Sequence, residues 1–150
     1  MIFYRFASLV LSGAIVLAVG VSFGTAWCGE ATPEQNLALL KQIDADLAKK
    51  PGDLKLLCQH AELMGNMKRY EEEVSEASKI IGKFPKARDA FLIQAHGLGN
   101  LERSGDAIKS LDRAFSLGAP TPELLVLKAT HLRREKKYKE AIAVLSKVIE

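Results

Sequence analysis

The 150-residue chain holds only two cysteines and three histidines, and each shortage excludes a class of chemistry. Two cysteines cannot build the disulfide framework of a small secreted scaffold. His60, His96 and His131 lie 36 and 35 residues apart, so no helix carries two of them on one face as a metal site would. They read as partly exposed helical residues, and no metal is expected. Cys58-Gln59-His60 lacks the second cysteine of a haem-attachment motif. There is no GxSxG elbow, no Walker loop and no dinucleotide glycine pattern. Gly97-Leu98-Gly99 lies within a helical stretch, where its glycines suit close helix contacts rather than a phosphate loop. Neither an enzymatic activity nor a cofactor is expected. A formal net charge of +3 is too small to direct the chain to nucleic acid.

What the sequence does have is a period. Thr121 to Glu150 reads as two amphipathic helices joined by a basic turn near Lys136-Lys137. Thr121 can cap the first, with Pro122 in its first turn and Glu123 where the helix dipole favours a carboxylate. The same unit recurs every 34 residues. Ala129 falls on Ala95 and Ala61, Leu125 on Phe91 and Leu57, and Leu132 on Leu98 and Met64. In the second helix Ala141 falls on Ala107, and Leu145 on Leu111. Gly105-Asp106 suits the turn of the middle unit, and Gly118 with Pro120 and Pro122 suits a helix end.

A gapless 34-residue helix–turn–helix period marks one repeat class. Over about residues 54–150 the chain resembles the tetratricopeptide repeat (TPR) family. Ala61, Ala95 and Ala129 stand where that family has the small residue at which paired helices cross. Tyr70 and Tyr138 match its aromatic at the start of the second helix, and Pro85 its closing proline. The pattern is broken at Glu73, where the other units have alanine, and at Ser104, where they have tyrosine. The resemblance implies an all-α solenoid of antiparallel helix pairs wound into a right-handed superhelix. Units are expected at 54–87, 88–121 and 122–150. Ahead of them, 32–53 reads as a lone capping helix or half-repeat. It opens with Thr32-Pro33-Glu34-Gln35, a capping-box signature.

Residues 1–31 read as a signal peptide or membrane anchor. Phe6 to Cys28 is a stretch of 23 residues without a charge, preceded only by Arg5. This exceeds the core of an ordinary leader and suffices for a spanning helix, so both readings stand. Either one puts the repeats outside the inner membrane, in the periplasmic space of the cell envelope, cleaved or anchored by residues 6–27. Cys28 follows the bulky Trp27 and reads as unmodified rather than lipidated.

The resemblance implies a non-enzymatic protein-interaction module. In such proteins the first helices line a concave groove that receives an extended or helical peptide. By register the lining here is Lys55, Cys58, Glu62 and Asn66, then Asp89, Leu92, His96 and Asn100, then Glu123, Val126, Thr130 and Arg133. This set lacks the Lys/Asn/Arg clamp for a terminal carboxylate, which disfavours a chaperone-tail adaptor. Leu92 and Val126 favour an apolar or helical partner. A second surface is the last helix, where Leu145, Val148 and Ile149 keep the apolar pattern of an internal unit. Such an uncapped face is expected to self-associate, to dock on another subunit, or to mark a truncated gene. The basic residues between Lys128 and Lys139 read as a solvated turn, with an attractor for an acidic partner or an anionic membrane surface as the alternative.

Overall fold

The structure is a computed structural model; residues 32–149 are described, Ile149 by its backbone alone. The expected leader or anchor lies outside the described residues, as does Cys28. Among the described residues no helix is long and apolar enough to cross a membrane.

Seven helices and no strand make up the described fold: α1 (Pro33–Lys49), α2 (Leu54–Asn66), α3 (Tyr70–Lys83), α4 (Arg88–Asn100), α5 (Ser104–Leu117), α6 (Pro122–Arg134) and α7 (Tyr138–Ile149). Each helix packs on the next, and α2 also packs on α4. The starts of α2, α4 and α6 are 34 residues apart, as are those of α3, α5 and α7. Thr32 opens α1 with both arms of a capping box, its hydroxyl accepting from Gln35 N at 3.3 Å and its own N–H donating to Gln35 Oε1 at 2.8 Å. Asp53 caps α2 by accepting from Lys55 N and Leu56 N. Thr121 holds the equivalent place before α6, but its side chain caps no backbone amide.

Matching small residues sit at matching helix crossings. Ala61, Ala95, Ala107 and Ala129 are all buried, with Leu111, Leu132 and Met64 beside them in the core. Bulkier side chains would hold the helices apart at these points.

The turns within the helix pairs recur with the same period. Lys68, Glu102 and Lys136 are the described non-glycine residues in the left-handed region, at φ 61°, 59° and 59°. In the first turn Arg69 N donates to Met64 O and Lys68 N to Gly65 O, which is a Schellman closure. The second and third turns repeat it, with Arg103 N to Leu98 O and Lys137 N to Leu132 O. Gly105 and Asp106, expected in the middle turn, instead lie in the first turn of α5. The turn closes on Glu102, where three left-handed positions outside glycine gave no sequence signal. Gly118 follows α5 with extended backbone, φ −179°, so left-handed freedom is not its use. A side chain there would crowd Arg88, whose guanidinium donates to Ala119 O at 2.8 Å.

A polar ladder ties the helices together. His60, Gln94 and Lys128 are equivalent positions on α2, α4 and α6, and each reaches a neighbouring second-type helix. Gln94 donates to Ser78 Oγ at 3.0 Å and accepts from Ser110 Oγ at 2.7 Å. His60 lies 3.2 Å from Asp44 on α1 and also bonds Glu76 on α3. Lys128 pairs with Asp112. Asp44 thus meets His60 in the register in which Ser78 meets Gln94.

Candidate functional site

Two adjoining clefts run along α2 and α4. The first, about 550 Å³, is lined by Glu62, Asn66, Glu73, Asp89, Leu92, Ile93 and His96. The second, about 450 Å³, is lined by Leu54, Lys55, Cys58, Gln59, Glu62, Ala87 and Asp89. Glu62 and Asp89 belong to both and join them. Among the residues expected in the groove, Lys55, Cys58, Glu62, Asn66, Asp89, Leu92 and His96 are thereby brought together. Cys58 is mostly packed into the core beside Ala61 and Ala77, with 8% of its surface exposed. Asn100 lies one turn beyond His96 and donates to His96 O at 3.0 Å. The α6 members, Glu123, Val126, Thr130 and Arg133, line neither cleft. Val126 is 46% exposed, and Thr130 bonds back to Val126 O at 3.0 Å.

The floor of the first cleft is a residue that the register did not assign to the groove. Glu73 stands on α3 where the later units carry Ala107 and Ala141, and its side chain is 2% exposed. Glycine makes room for it. A β-carbon on Gly65 would lie 2.6 Å from Glu73 Oε1, and one on Gly97 would lie 3.0 Å from Oε2. His96 Nδ1 lies 2.8 Å from Oε1 and donates to it, while Oε2 has no hydrogen-bond partner. Tyr70 meets the His96 ring edge-on, with centroids 6.1 Å apart. Neutral His96 therefore carries its proton on Nδ1 and can accept at Nε2 from Asn100, whose amide nitrogen is 3.2 Å away.

The second break in the repeat is compensated likewise. Ser104, in the tyrosine place, is buried against His131, whose Nδ1 is 3.3 Å from the Ser104 hydroxyl. A β-carbon on Gly99 would lie 2.6 Å from the His131 ring. His131 is therefore a buried core residue, not the partly exposed histidine expected from its spacing. Both glycines of Gly97-Leu98-Gly99 serve close helix contacts.

Glu62, Glu73 and Asp89 face His96 in the first cleft, and Lys55 joins Glu62 and Asp89 in the second. Loss of water raises the Glu62 carboxyl above its ordinary value, and Asp89 and Glu73 raise it further. Burial, then Asp89 and Glu62, push the Cys58 thiol up to about 11, which leaves it protonated and unreactive at neutral pH. The hydrogen bond to Glu73 raises His96, against the opposing effect of burial. Burial lowers His131, helped by Arg134. Among the described residues neither Glu62 nor Asp89 forms an ion pair. No group of three or more His, Cys, Asp or Glu among them could hold a metal ion.

No protein-family model and no curated protein matches the sequence. Solved structures do match. MamA AMB-1 aligns with a TM-score of 0.65 at 20% identity, over 74% of this chain and 66% of that one. MamA 41-end from Desulfovibrio magneticus RS-1 gives 0.69 at 14% identity, over 77% and 66%. A further crystal structure of MamA gives 0.70 at 14%, over 77% and 68%. The chain thus spans just under two thirds of the MamA AMB-1 chain. At such identities the likeness establishes the fold, an all-helical stack of TPR type.

Proposed function

We propose that the chain is a non-enzymatic adaptor or assembly factor, binding a peptide or helix of another protein in the groove along α2 and α4. The observation that carries this reading is the pair of joined clefts, which gather exposed carboxylates beside Leu92 and Ile93 on the flank of a helical stack. Repeat scaffolds present such flanks as binding surfaces. The uncharged stretch in residues 6–28 supports delivery to the outer side of an inner membrane, with that segment cleaved or kept as an anchor. Crosslinking in intact cells followed by capture of the full chain tests the reading. Leu92→Glu should abolish capture of the envelope partner and leave self-association unchanged. Capture that survives Leu92→Glu would overturn the groove as the binding site.

A second reading rests on α7. Tyr138, Ile142 and Leu145 are 58%, 69% and 39% exposed. The equivalent residues of α5, Ser104, Ile108 and Leu111, are buried, and α6 packs on that helix. A structural role, with the chain oligomerising or docking on another subunit through this face, fits that exposure. Ile142→Glu should then abolish association while Leu92→Glu leaves it intact.

A further inference from the structure

We propose that the cleft between α2 and α4 is a lysine-recognition subsite: the ammonium of a partner lysine enters between Glu62 and Asp89, over the buried and half-partnered carboxylate of Glu73. This deepens, and rests on, the groove reading above.

The first support is an unmet polar atom. Glu73 Oε2 is enclosed without a hydrogen-bond partner, and Glu73 is one of the residues lining a cleft that opens to solvent. A buried carboxylate oxygen left unpaired is costly, and a cation donor would relieve it. The second is charge. Glu62, Asp89 and Glu73 line one cleft of about 550 Å³, and only His96 among its lining residues can carry a positive charge. His96 already serves Oε1. The third is shape. Leu92 and Ile93 give the cleft apolar walls suited to the methylene stem of lysine, whose head alone needs polar partners. Three carboxylates on three helices also suit an ammonium, a compact charge with three donors. A guanidinium is planar and favours a single coplanar carboxylate.

The test uses the full chain in detergent and two fluorescent synthetic peptides. One is an amphipathic helix of leucine, alanine and lysine. The other carries norleucine in place of lysine, keeping the stem and losing the ammonium. Fluorescence anisotropy should show the lysine peptide binding at least about tenfold more tightly, as expected for a charge-assisted contact in a partly dry cleft. Glu62→Gln and Asp89→Asn, both exposed and hence tolerant, should each weaken the lysine peptide by more than the norleucine peptide. Glu71→Gln, an exposed acid on α3, should change neither. Glu73→Gln, with its fold verified by circular dichroism, should also weaken the lysine peptide. Equal binding of the two peptides would overturn the lysine subsite and leave the groove reading standing. Binding of neither would also overturn it, and the groove itself is then decided by the Leu92→Glu capture experiment.

Discussion

The carboxylate of Glu73 occupies the space in which a β-carbon at Gly65 would stand, 2.6 Å from Oε1. Each residue is explained by the other. A glycine inside a helix costs about 1 kcal/mol relative to alanine, and a buried acid needs room. Gly65→Ala should therefore destabilise the wild type by roughly 1–3 kcal/mol, because the new methyl drives Glu73 off His96. In a Glu73→Ala background the same change should reverse sign and stabilise by up to about 1 kcal/mol. Urea denaturation of the two singles and the double measures the coupling. Equal effects in both backgrounds would break the link between the two positions.

Each Schellman turn closes on a residue strained by its side chain. Replacing Lys68, Glu102 or Lys136 by glycine should stabilise the fold by about 0.5–1 kcal/mol apiece, because only glycine adopts positive φ without steric cost. Thermal midpoints of the three single variants give the answer. The same substitution at the neighbouring Met67, where φ is −84°, should instead destabilise.

Two histidines give the stability profile its shape. Glu73 raises His96 above its ordinary 6.5, so the folded chain holds the extra proton more tightly. That contribution is complete below pH 6.5 and fades as pH rises through the folded value. Burial lowers His131 from the same 6.5, so its contribution is present above pH 6.5 and is lost as pH falls through the folded value. Between them the two favour a stability maximum near pH 6.5. In urea midpoints against pH, His96→Gln should flatten the alkaline side alone and His131→Gln the acid side alone.

The ladder should be strongest where it is buried. Gln94→Leu leaves the enclosed hydroxyl of Ser110 without its partner and should cost about 1–2 kcal/mol. Adding Ser110→Ala should recover most of that loss. Lys128→Met breaks a pair whose Asp112 partner is 51% exposed, and should cost less than about 1 kcal/mol. Chemical denaturation ranks the three, and equal costs for Gln94 and Lys128 would contradict the burial argument.

The helical period was legible because packing enforces it. Every crossing needs a small residue, so Ala61, Ala95 and Ala129 return in register. The turns were not, since Lys68, Glu102 and Lys136 look like ordinary solvent-facing residues and their strain appears only in the backbone. Glu73 and Ser104 were visible as breaks in the pattern, but their partners were not. His96 is 23 residues from Glu73, and His131 is 27 from Ser104. The available signal was the helix-interior glycines at 65, 97 and 99, whose propensity cost asks for a bulky neighbour across the crossing. Of the α2 and α4 residues in the groove register, Asn100 lines neither cleft while the other seven do, and the register leaves out Glu73, which reaches the cleft from a second-type helix. Val126 and its α6 neighbours followed the same register yet line neither cleft.

The most direct test of the account is site-specific photo-crosslinking of the full chain in cells. A photoreactive phenylalanine analogue placed at Leu92, on the cleft wall, should yield a discrete crosslinked protein whose yield falls with Glu62→Gln. The same label at Glu71, on the exposed start of α3, should yield none. Crosslinks from Ile142 on α7 with none from Leu92 would contradict the claim that the α2–α4 cleft is where the partner binds.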